Sequence, residues 1–130
     1  MWAVIPSLRF VDLAAAVAFY RDTLGFDVVR GEPADGNVAV NRGAARMMLE
    51  TPGAFYSPGY NEAIRERQAS HSPHALYIEE PDLAAYHDRL RDAGVRIVDP
   101  LAERPWGQSE FTVEDLAGNW LTFWGASASG

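Results

Sequence analysis

Residues 105–124 read PWGQSEFTVEDLAGNWLTFW, and this stretch decides the fold because it predicts two strands joined by a tight turn. Polar and apolar residues alternate from Glu110 to Glu114, which is the two-residue period of a strand. The run 115–119 (DLAGN) is typical of a turn, because Asp, Gly and Asn accept the backbone angles of a chain reversal. The alternation then resumes, which predicts that Trp120, Thr122 and Trp124 share one face of the sheet. Large apolar groups on both faces suggest that one packs on helices and the other lines a pocket.

Outward from this hairpin, the pattern of strand, helix and three strands is predicted twice. The first round has strands at 1–10, 26–30, 38–41 and 45–51, with a helix after Asp12. The second has strands at 75–79 and 95–98 and a helix at 83–93, and then the closing hairpin. Two short matches favour an internal duplication: 12–15 (DLAA) recurs as 82–85, and 25–29 (GFDVV) resembles 94–98 (GVRIV). Chance is the alternative, because such letters are common in an Ala-rich chain.

The predicted fold class is α+β, with two βαβββ modules in one domain spanning residues 1–130. Module one covers about 1–52, a connector 53–73, and module two about 74–125. Each helix can cover only one face of its sheet, so the two modules are expected to form a cupped mixed β-sheet cleft with the helices outside. The connector is rich in Pro, Gly and Ser, and it is predicted to hold a short helix at 61–69 and to act as a mobile flap.

Composition narrows the possible partners. The formal net charge is −7 and all 11 basic residues are Arg, which disfavours nucleic acid and anionic membranes and suits a cationic ligand. Acidity that serves only solubility is the alternative. The chain has no Cys, hence no disulfide and no thiolate metal site. No apolar run is long enough for a membrane span and no signal peptide is evident, so a cytoplasmic protein is expected.

The quoted motifs resemble a known family. The stretch 8–26 (LRFVDL…FYRDTLGF), with the repeated βαβββ order, resembles the vicinal oxygen chelate superfamily, which includes glyoxalase I, extradiol dioxygenases, fosfomycin-resistance enzymes and bleomycin-resistance proteins. The closing stretch, with Pro105-Trp-Gly107, Glu110-Phe111, 115–119 (DLAGN) and Phe123, is similar to the bleomycin-resistance branch. Pro6 lies where that branch has the hinge of an exchanged N-terminal arm, so the resemblance implies a homodimer.

Metal-dependent members of the superfamily carry one His or Glu ligand on each of four strands. The resemblance places these positions at Ile5, Met48, Pro73 and Thr122. The side chains of Ile and Pro have no atom that can bind a metal ion, Thr is a poor ligand and Met is a soft one. We therefore expect no metal, no cofactor and no catalytic residue. His74 lies one residue from a ligand position, and His71 and His74 form a weak His-x-x-His alternative. His87, beside Asp88 and Arg89, is predicted to face water.

The same resemblance, with strand alternation, defines a predicted ligand pocket. Trp106 matches the bleomycin-resistance tryptophan that stacks on the drug, and aromatic faces suit flat heteroaromatic rings. The predicted pocket residues are Arg9, Met48, Glu50, Tyr77, Trp106, Glu110, Trp120, Thr122 and Trp124. The predicted helix-side core is Leu8, Phe10, Met47, Leu49, Leu76, Ile78, Leu121 and Phe123. Packing in a loop, sheet or dimer interface is the alternative for the tryptophans, and exposure at the pocket rim for the carboxylates.

These expectations lead to a hypothesis of function. The chain is interpreted as a non-catalytic protein that sequesters an aromatic, cationic antibiotic of bleomycin type. One alternative is an enzyme of the same superfamily, with or without metal, such as a lyase, thiol transferase or dioxygenase. The other is a binding module for a different metabolite.

Overall fold

The computed structural model describes residues 4–53, 56–68 and 74–126, and the chain divides into two compact units, 1–72 and 73–130. The first unit contains β1 (Ser7–Arg9), α1 (Leu13–Ala18), β2 (Asp27–Arg30), β3 (Asn37–Arg42), β4 (Ala45–Glu50) and α2 (Pro58–Gln68). The second contains β5 (Ala75–Glu79), α3 (Leu83–Asp92), β6 (Arg96–Glu103), β7 (Gln108–Glu114) and β8 (Trp120–Ala126). The predicted α+β class and the repeated order of elements are confirmed, whereas the cleft stays a prediction.

Both units have the same sheet topology. The strand orders are β1-β4-β3-β2 and β5-β8-β7-β6. In each sheet the first strand runs parallel to the last, and the remaining pairs are antiparallel. This shared topology agrees with the duplication that the repeated letters suggest.

In the first unit, α1 and the turn after it cover one sheet face. Asp12 caps α1, a π-helical turn (Phe19–Thr23) follows, and Gly25, at φ 78°, ends it in the left-handed conformation that glycine favours. Tyr20 is fully buried between Phe10 and Phe26, with ring centroids 6.1 and 5.4 Å away. Leu49, also fully buried, pairs with Leu8, which has the same strand parity as Phe10. The opposite face is called the first distal face; its residues include Ser7, Arg9, Asn37, Met48 and Glu50.

In the second unit, α3 covers the corresponding face. Tyr86 on α3 meets the rings of Phe123 at 4.9 Å and Phe111 at 6.2 Å, and both phenylalanines are fully buried. Leu121 and Phe123 therefore belong to the helix-side core, as predicted. The opposite face is called the second distal face; its residues include Tyr77, Glu79, Glu110, Thr112, Glu114, Trp120, Thr122 and Trp124.

Three local expectations need correction. His87 does not face water: its side chain is 13% exposed and its ring lies edge-on to Phe111 at 5.0 Å. Within the described residues, the first strand is limited to β1, and β6 extends to Glu103 with register shifts on either side of Asp99. Such irregularity suits an edge strand that contains Pro100, which cannot donate a ladder hydrogen bond.

The helix of the connector, α2, begins earlier than predicted. Pro58 occupies its first position, and the hydroxyl of Ser57 accepts a hydrogen bond from the Tyr60 N–H at 3.2 Å. A hydroxyl followed by proline is a helix-start signal that apolar spacing alone does not reveal. Among the described residues, no helix is long and apolar enough to cross a membrane.

Candidate functional site

The second distal face brings together most of the predicted pocket residues of that unit. Along β7 and β8 the cross-strand pairs are Glu110 with Trp124, Thr112 with Thr122, and Glu114 with Trp120, in unbroken register. Because directly paired residues point to the same side of a sheet, these six side chains share one face. In β5, Tyr77 pairs with Thr122 and Glu79 with Trp124, and both add to this face.

The tryptophans differ in how much of their surface is available. Trp120 is 40% exposed, and its indole N–H donates to Glu114 Oε1 at 3.2 Å, while Trp124 is half-buried. Trp106 is 64% exposed and lies in the β6–β7 turn, which Gly107 closes by donating to the Arg104 carbonyl at 3.1 Å. Trp106 is therefore on the turn and not in the ladder that aligns the other two.

Thr122 stands at a predicted metal-ligand position but is already engaged. It is 2% exposed, and its hydroxyl oxygen lies 2.7 Å from that of Thr112, so the two hydroxyls form one buried hydrogen bond. This bond satisfies one donor and one acceptor inside the sheet face. The Thr112–Thr122 pair therefore places two uncharged, buried side chains between the aromatic and acidic residues of this face.

Glu110 has a different environment from its neighbours. It is only 6% exposed, and its Oε1 atom is buried without a hydrogen-bond partner among the described residues. A buried carboxylate oxygen without a partner is costly, because it has lost water and gained no donor. Its position opposite Trp124 puts this unmet acceptor beside an aromatic ring.

The first distal face carries a second buried carboxylate, Glu50, which is 1% exposed. Glu50 accepts hydrogen bonds from the Ser7 hydroxyl at 2.7 Å and from the phenol of Tyr56. Arg9 in turn donates to Ser7 Oγ at 2.9 Å and to the Tyr60 hydroxyl at 2.8 Å. These contacts join the start of the connector to the sheet.

The titration of Glu50 and Tyr56 reflects this bonding. Burial raises the pKa of Glu50, but the hydrogen bonds from Tyr56 and Ser7 and the charge of Arg9 outweigh burial, so the pKa lies below its ordinary value. The hydrogen bond to Glu50, together with burial, raises the pKa of Tyr56. Both groups are therefore held in their neutral-pH forms, carboxylate and phenol.

Arg9 and Met48 complete the first distal face. The rings of Tyr56 and Tyr60 stack at 4.6 Å, and the guanidinium of Arg9 lies 5.6 and 5.5 Å from their centroids. The sulfur of Met48 accepts weak hydrogen bonds from Arg30 at 3.9 Å and Asn37 at 3.8 Å. The structure thus brings Arg9 and Glu50 into one network and places Met48 beside its edge.

The remaining metal-ligand positions offer little. Ile5 is 47% exposed and apolar, and His74, next to one position, is exposed. Pro73 and His71 lie outside the described residues. Within the described ranges, no group of three or more His, Asp or Glu side chains is arranged to hold a metal ion.

None of the predicted pocket residues is among the described residues that line two cavities, although Glu79 of the second distal face lines one of them. One of about 490 Å³ in the first unit is lined by Val11, Thr51, Pro52, Arg65 and Gln68. The other, of about 400 Å³ in the second unit, lies beside the start of α3, with Glu80, Leu83, Leu101, Ser109 and Gly125 in its lining. No tryptophan is found in the described lining of either cavity, so the second distal face, with Trp120 and Trp124, is the better candidate for recognition of a flat ligand.

Sequence reasoning missed several members of these faces. Tyr56 and Tyr60 belong to the connector, and their rings stack with centroids 4.6 Å apart. Thr112 and Glu114 were recoverable, because the alternation that selects Glu110 selects them too.

Comparisons with known proteins agree with this architecture. Residues 5–123 match the family model described as Glyoxalase/Bleomycin resistance protein/Dioxygenase superfamily. The structure resembles TioX from Micromonospora sp. ML1, with a TM-score of 0.74, 25% identity and coverage of 98% of each chain. It also resembles the bleomycin-binding protein of Streptomyces verticillus, solved with copper(II)-bleomycin, with a TM-score of 0.66, 29% identity and coverage of 95% and 94%. Among curated proteins no similar sequence was found.

Proposed function

The chain belongs to the glyoxalase/bleomycin resistance protein/dioxygenase superfamily, and from this premise we propose that it is a non-catalytic protein that sequesters an aromatic, cationic antibiotic of bleomycin type. Tight stoichiometric binding lowers the concentration of free drug, so no chemical step is needed. The observation that carries the proposal is the second distal face, where Trp120 and Trp124 flank buried Thr122, with Glu110 opposite Trp124.

The residue types of that face suit such a ligand. Indole rings stack on flat heteroaromatic rings with about 0.5–1.5 kcal/mol per pair beyond area burial. Glu79 and Glu110 supply negative charge on the same face, where Glu114 is paired with Arg96, and the whole chain carries a net charge of −7. Trp106, exposed on the neighbouring turn, adds a further ring for contact with the drug.

The relatives give independent support. One similar solved structure is a bleomycin-binding protein crystallised with copper(II)-bleomycin, and it is 29% identical over 95% of this chain. That protein comes from a bleomycin-producing organism. The shared fold and the ligand of that relative make drugs of this type the first ligands to test.

The test is a titration of tryptophan emission with copper-free bleomycin. We expect a saturable change with one binding site per chain, and a loss of affinity of tenfold or more for Trp124→Ala, on the order of the 1.4 kcal/mol that a good aromatic contact supplies. Leu116→Ala is the matched control, because Leu116 is an exposed apolar residue on the β7–β8 turn. The absence of any response across several bleomycin-class antibiotics would refute the proposed function.

The proposal includes a homodimer with an N-terminal arm exchanged at Pro6. The Pro6 carbonyl accepts from the Met48 N–H at 2.9 Å, so the ladder to β4 begins at this residue. Light scattering of the purified protein should give twice the chain mass of 14.3 kDa. A monomer at all concentrations would exclude this part of the proposal and leave drug binding open.

Enzymatic activity remains the competing hypothesis. Elemental analysis of the purified protein addresses its metal-dependent branch, since stoichiometric zinc, nickel, manganese or iron would require ligands other than the predicted positions. We expect substoichiometric metal. A result of one bound ion per chain would favour the enzyme over the binding protein.

A further inference from the structure

The two distal faces each bury one carboxylate on neighbouring strands of equivalent sheets. In the first unit Glu50, on β4, pairs with Asn37 on β3; in the second, Trp124 on β8 pairs with Glu110 on β7. Glu50 and Glu110 are both at least nine-tenths buried, with 1% and 6% of their surface exposed. The two carboxylates are therefore similarly buried, but they differ in their hydrogen bonds.

Glu50 has hydrogen-bond donors and a compensating positive charge within its own unit. The hydroxyls of Ser7 and Tyr56 donate to its two oxygens, and Arg9, which donates to Ser7, supplies positive charge nearby. A carboxylate so bonded stabilises the folded chain. Its contacts with Tyr56 give it a structural task, which is to fix the start of the connector on the sheet.

Glu110 Oε1 has no such donor among the described residues, although other polar groups on the same face have hydrogen-bond partners. Thr112 and Thr122 satisfy each other, and Glu114 accepts from Arg96 at 2.8 Å and from Trp120 at 3.2 Å. Glu110 Oε1 is buried with no donor among the described residues. An isolated buried acceptor is expected to weaken the fold, so its presence needs a reason other than stability.

We infer that Glu110 is the specificity-determining residue of the proposed binding face, where it accepts a hydrogen bond from a protonated nitrogen of a ligand whose flat ring lies against Trp124. The inference rests on the proposed function for the location of the site. The chemical class is an amidinium, guanidinium or ammonium group attached to an aromatic ring. Glu50 does not share this task, because its oxygens are occupied.

The geometry around Glu110 favours a nitrogen cation. Trp124 is the cross-strand partner of Glu110, so its indole lies on the same side of the sheet as the carboxylate, and Glu79 pairs with Trp124 from β5. An aromatic cation satisfies both features at once, since its ring stacks and its N–H groups donate. Because Oε1 is buried in this structure, side chains around it must move before a ligand can reach it.

The first experiment compares two probes of the same shape, benzamidine and neutral benzamide, by titration of tryptophan emission. We expect the wild-type protein to bind benzamidine about tenfold or more tightly than benzamide, the range for a hydrogen bond to a charged group. Glu110→Gln, which keeps the shape and removes the charge, should abolish this preference. Glu66→Gln, which removes the same charge from an exposed site on α2, should retain it.

The second experiment measures the ligand-free protein. Replacing Glu110 with Met, of similar volume and without charge, should raise the melting temperature by about 3 °C or more, because the unmet acceptor is removed. Glu50→Gln should lower the melting temperature, because it weakens bonds that are made. Opposite signs for two buried carboxylates are not expected if both are merely structural.

The outcomes separate this inference from the proposed function. Equal affinity for both probes, no binding of either probe, or an unchanged preference in Glu110→Gln would overturn the role of Glu110, whatever bleomycin does. A benzamidine preference that depends on Glu110, with no response to bleomycin-class drugs, would retain the inference and reject the drug. Loss of stability in Glu110→Met would also count against the inference, since it would mean that Glu110 is satisfied in the ligand-free protein.

Discussion

Asp12 and Asp82 precede α1 and α3 and begin the same four residues, Asp-Leu-Ala-Ala. Asp12 accepts a hydrogen bond from the Ala15 N–H at 3.0 Å, whereas the Asp82 side chain makes no capping bond. The backbone explains the difference. Asp12, with ψ at 93°, has the extended conformation that a capping residue adopts, whereas Asp82, with ψ at 59°, lies outside it. The same four-residue sequence therefore caps α1 through a side-chain hydrogen bond but does not cap α3 in this way.

This pair yields a prediction with an internal control. Asp12→Ala should lower the free energy of unfolding by about 1 kcal/mol through the lost cap. Asp82→Ala removes the same charge from a helix start but no capping bond, so its cost should be smaller by about 0.5 kcal/mol or more. Urea unfolding of both variants measures the difference. Equal losses would show that the charge near the helix start, and not the capping bond, is the common cause.

Glu50 gives a prediction that depends on pH. At neutral pH, Glu50→Gln should lower the free energy of unfolding by about 1.5–3 kcal/mol, as expected for hydrogen bonds to a charged group. The pKa of Glu50 is lowered on folding, so this stabilisation is present above the ordinary glutamate pKa of about 4.3 and is lost as pH falls through the folded value.

The measurement is urea unfolding of wild type and Glu50→Gln at neutral pH and at about pH 3. The gap between the two proteins should narrow at the lower pH, because the stabilisation by the Glu50 carboxylate is lost as the pH falls through its lowered folded pKa. Glu66→Gln, on the exposed side of α2, should differ little from wild type at either pH. A gap that stays constant with pH would mean that the charge of Glu50 is not what stabilises the fold.

At the scale of elements, the β7–β8 hairpin is set by the side chain of Asp115. Its Oδ1 accepts from the N–H groups of Ala117 at 2.9 Å and Asn119 at 2.8 Å, and its Oδ2 accepts from the Asn119 amide at 2.9 Å. Asp115 is 5% exposed, so these bonds are protected from water. The turn brings Glu114 opposite Trp120 and thereby fixes which face receives the tryptophans.

Asp115→Ala should therefore destabilise the second unit by about 2–4 kcal/mol, since several buried bonds to a charged acceptor are lost at once. It should also weaken binding of benzamidine, because the register that aligns Trp124 with Glu110 depends on the turn. Chemical denaturation and the probe titration measure the two effects. Leu116→Ala, in the same turn but 51% exposed, should leave both unchanged.

The connector is the element for which sequence reasoning was weakest. Its composition suggested a mobile flap, and the mobility stays a prediction. Hydrogen bonds from its described part reach Arg9 on β1 and Glu50 on β4. Asn61 donates to the Gly53 carbonyl at 2.8 Å and accepts from the Gly53 N–H at 3.2 Å, and Tyr56 bonds to Glu50. The period of a strand or helix predicts which side a residue faces but not which side chain bonds to it, so periodicity does not reveal these links.

By contrast, the two faces of β4, β7 and β8 were predictable from alternation alone. Leu121, Phe123 and Leu49 are fully buried on the helix side, as the two-residue period requires. The same period correctly placed Glu50 and Glu110 on the distal faces. Hydrogen-bond partners could not be predicted in this way, because Tyr56 and Ser7 reach Glu50 from different parts of the chain.

At the scale of the whole molecule, the two units share a topology but differ in the chemistry of their distal faces. The first presents Arg9, Arg30 and a bonded carboxylate, whereas the second presents tryptophans and acidic residues. If the units arose by duplication, the backbone hydrogen bonds between strands were retained, while the side chains on the distal faces changed. The predicted limits of the modules, about 1–52 and 74–125, stay predictions for a study of separate folding.

The net charge of −7 gives a prediction for the whole chain. Raising the salt concentration from about 0.02 to 0.5 M should weaken benzamidine binding several-fold, because long-range attraction is screened over a few ångströms at high salt. Benzamide, which has no charge, should be nearly unaffected. Isothermal titration at the two salt concentrations measures both, and an equal response of the two probes would exclude a role for charge.

The parallel pairing of first and last strands bears on how the protein is made. Within the described ranges, the first strand of each unit lies at a sheet edge and pairs with the fourth strand, so it emerges from the ribosome long before its partner. Leu76 and Ile78 of β5 must wait for Leu121 and Phe123 of β8 before their ladder can form. Closure so distant along the chain is slow compared with hairpin formation. A translational pause between β7 and β8 would therefore leave the second unit open and Phe111 accessible to chaperones.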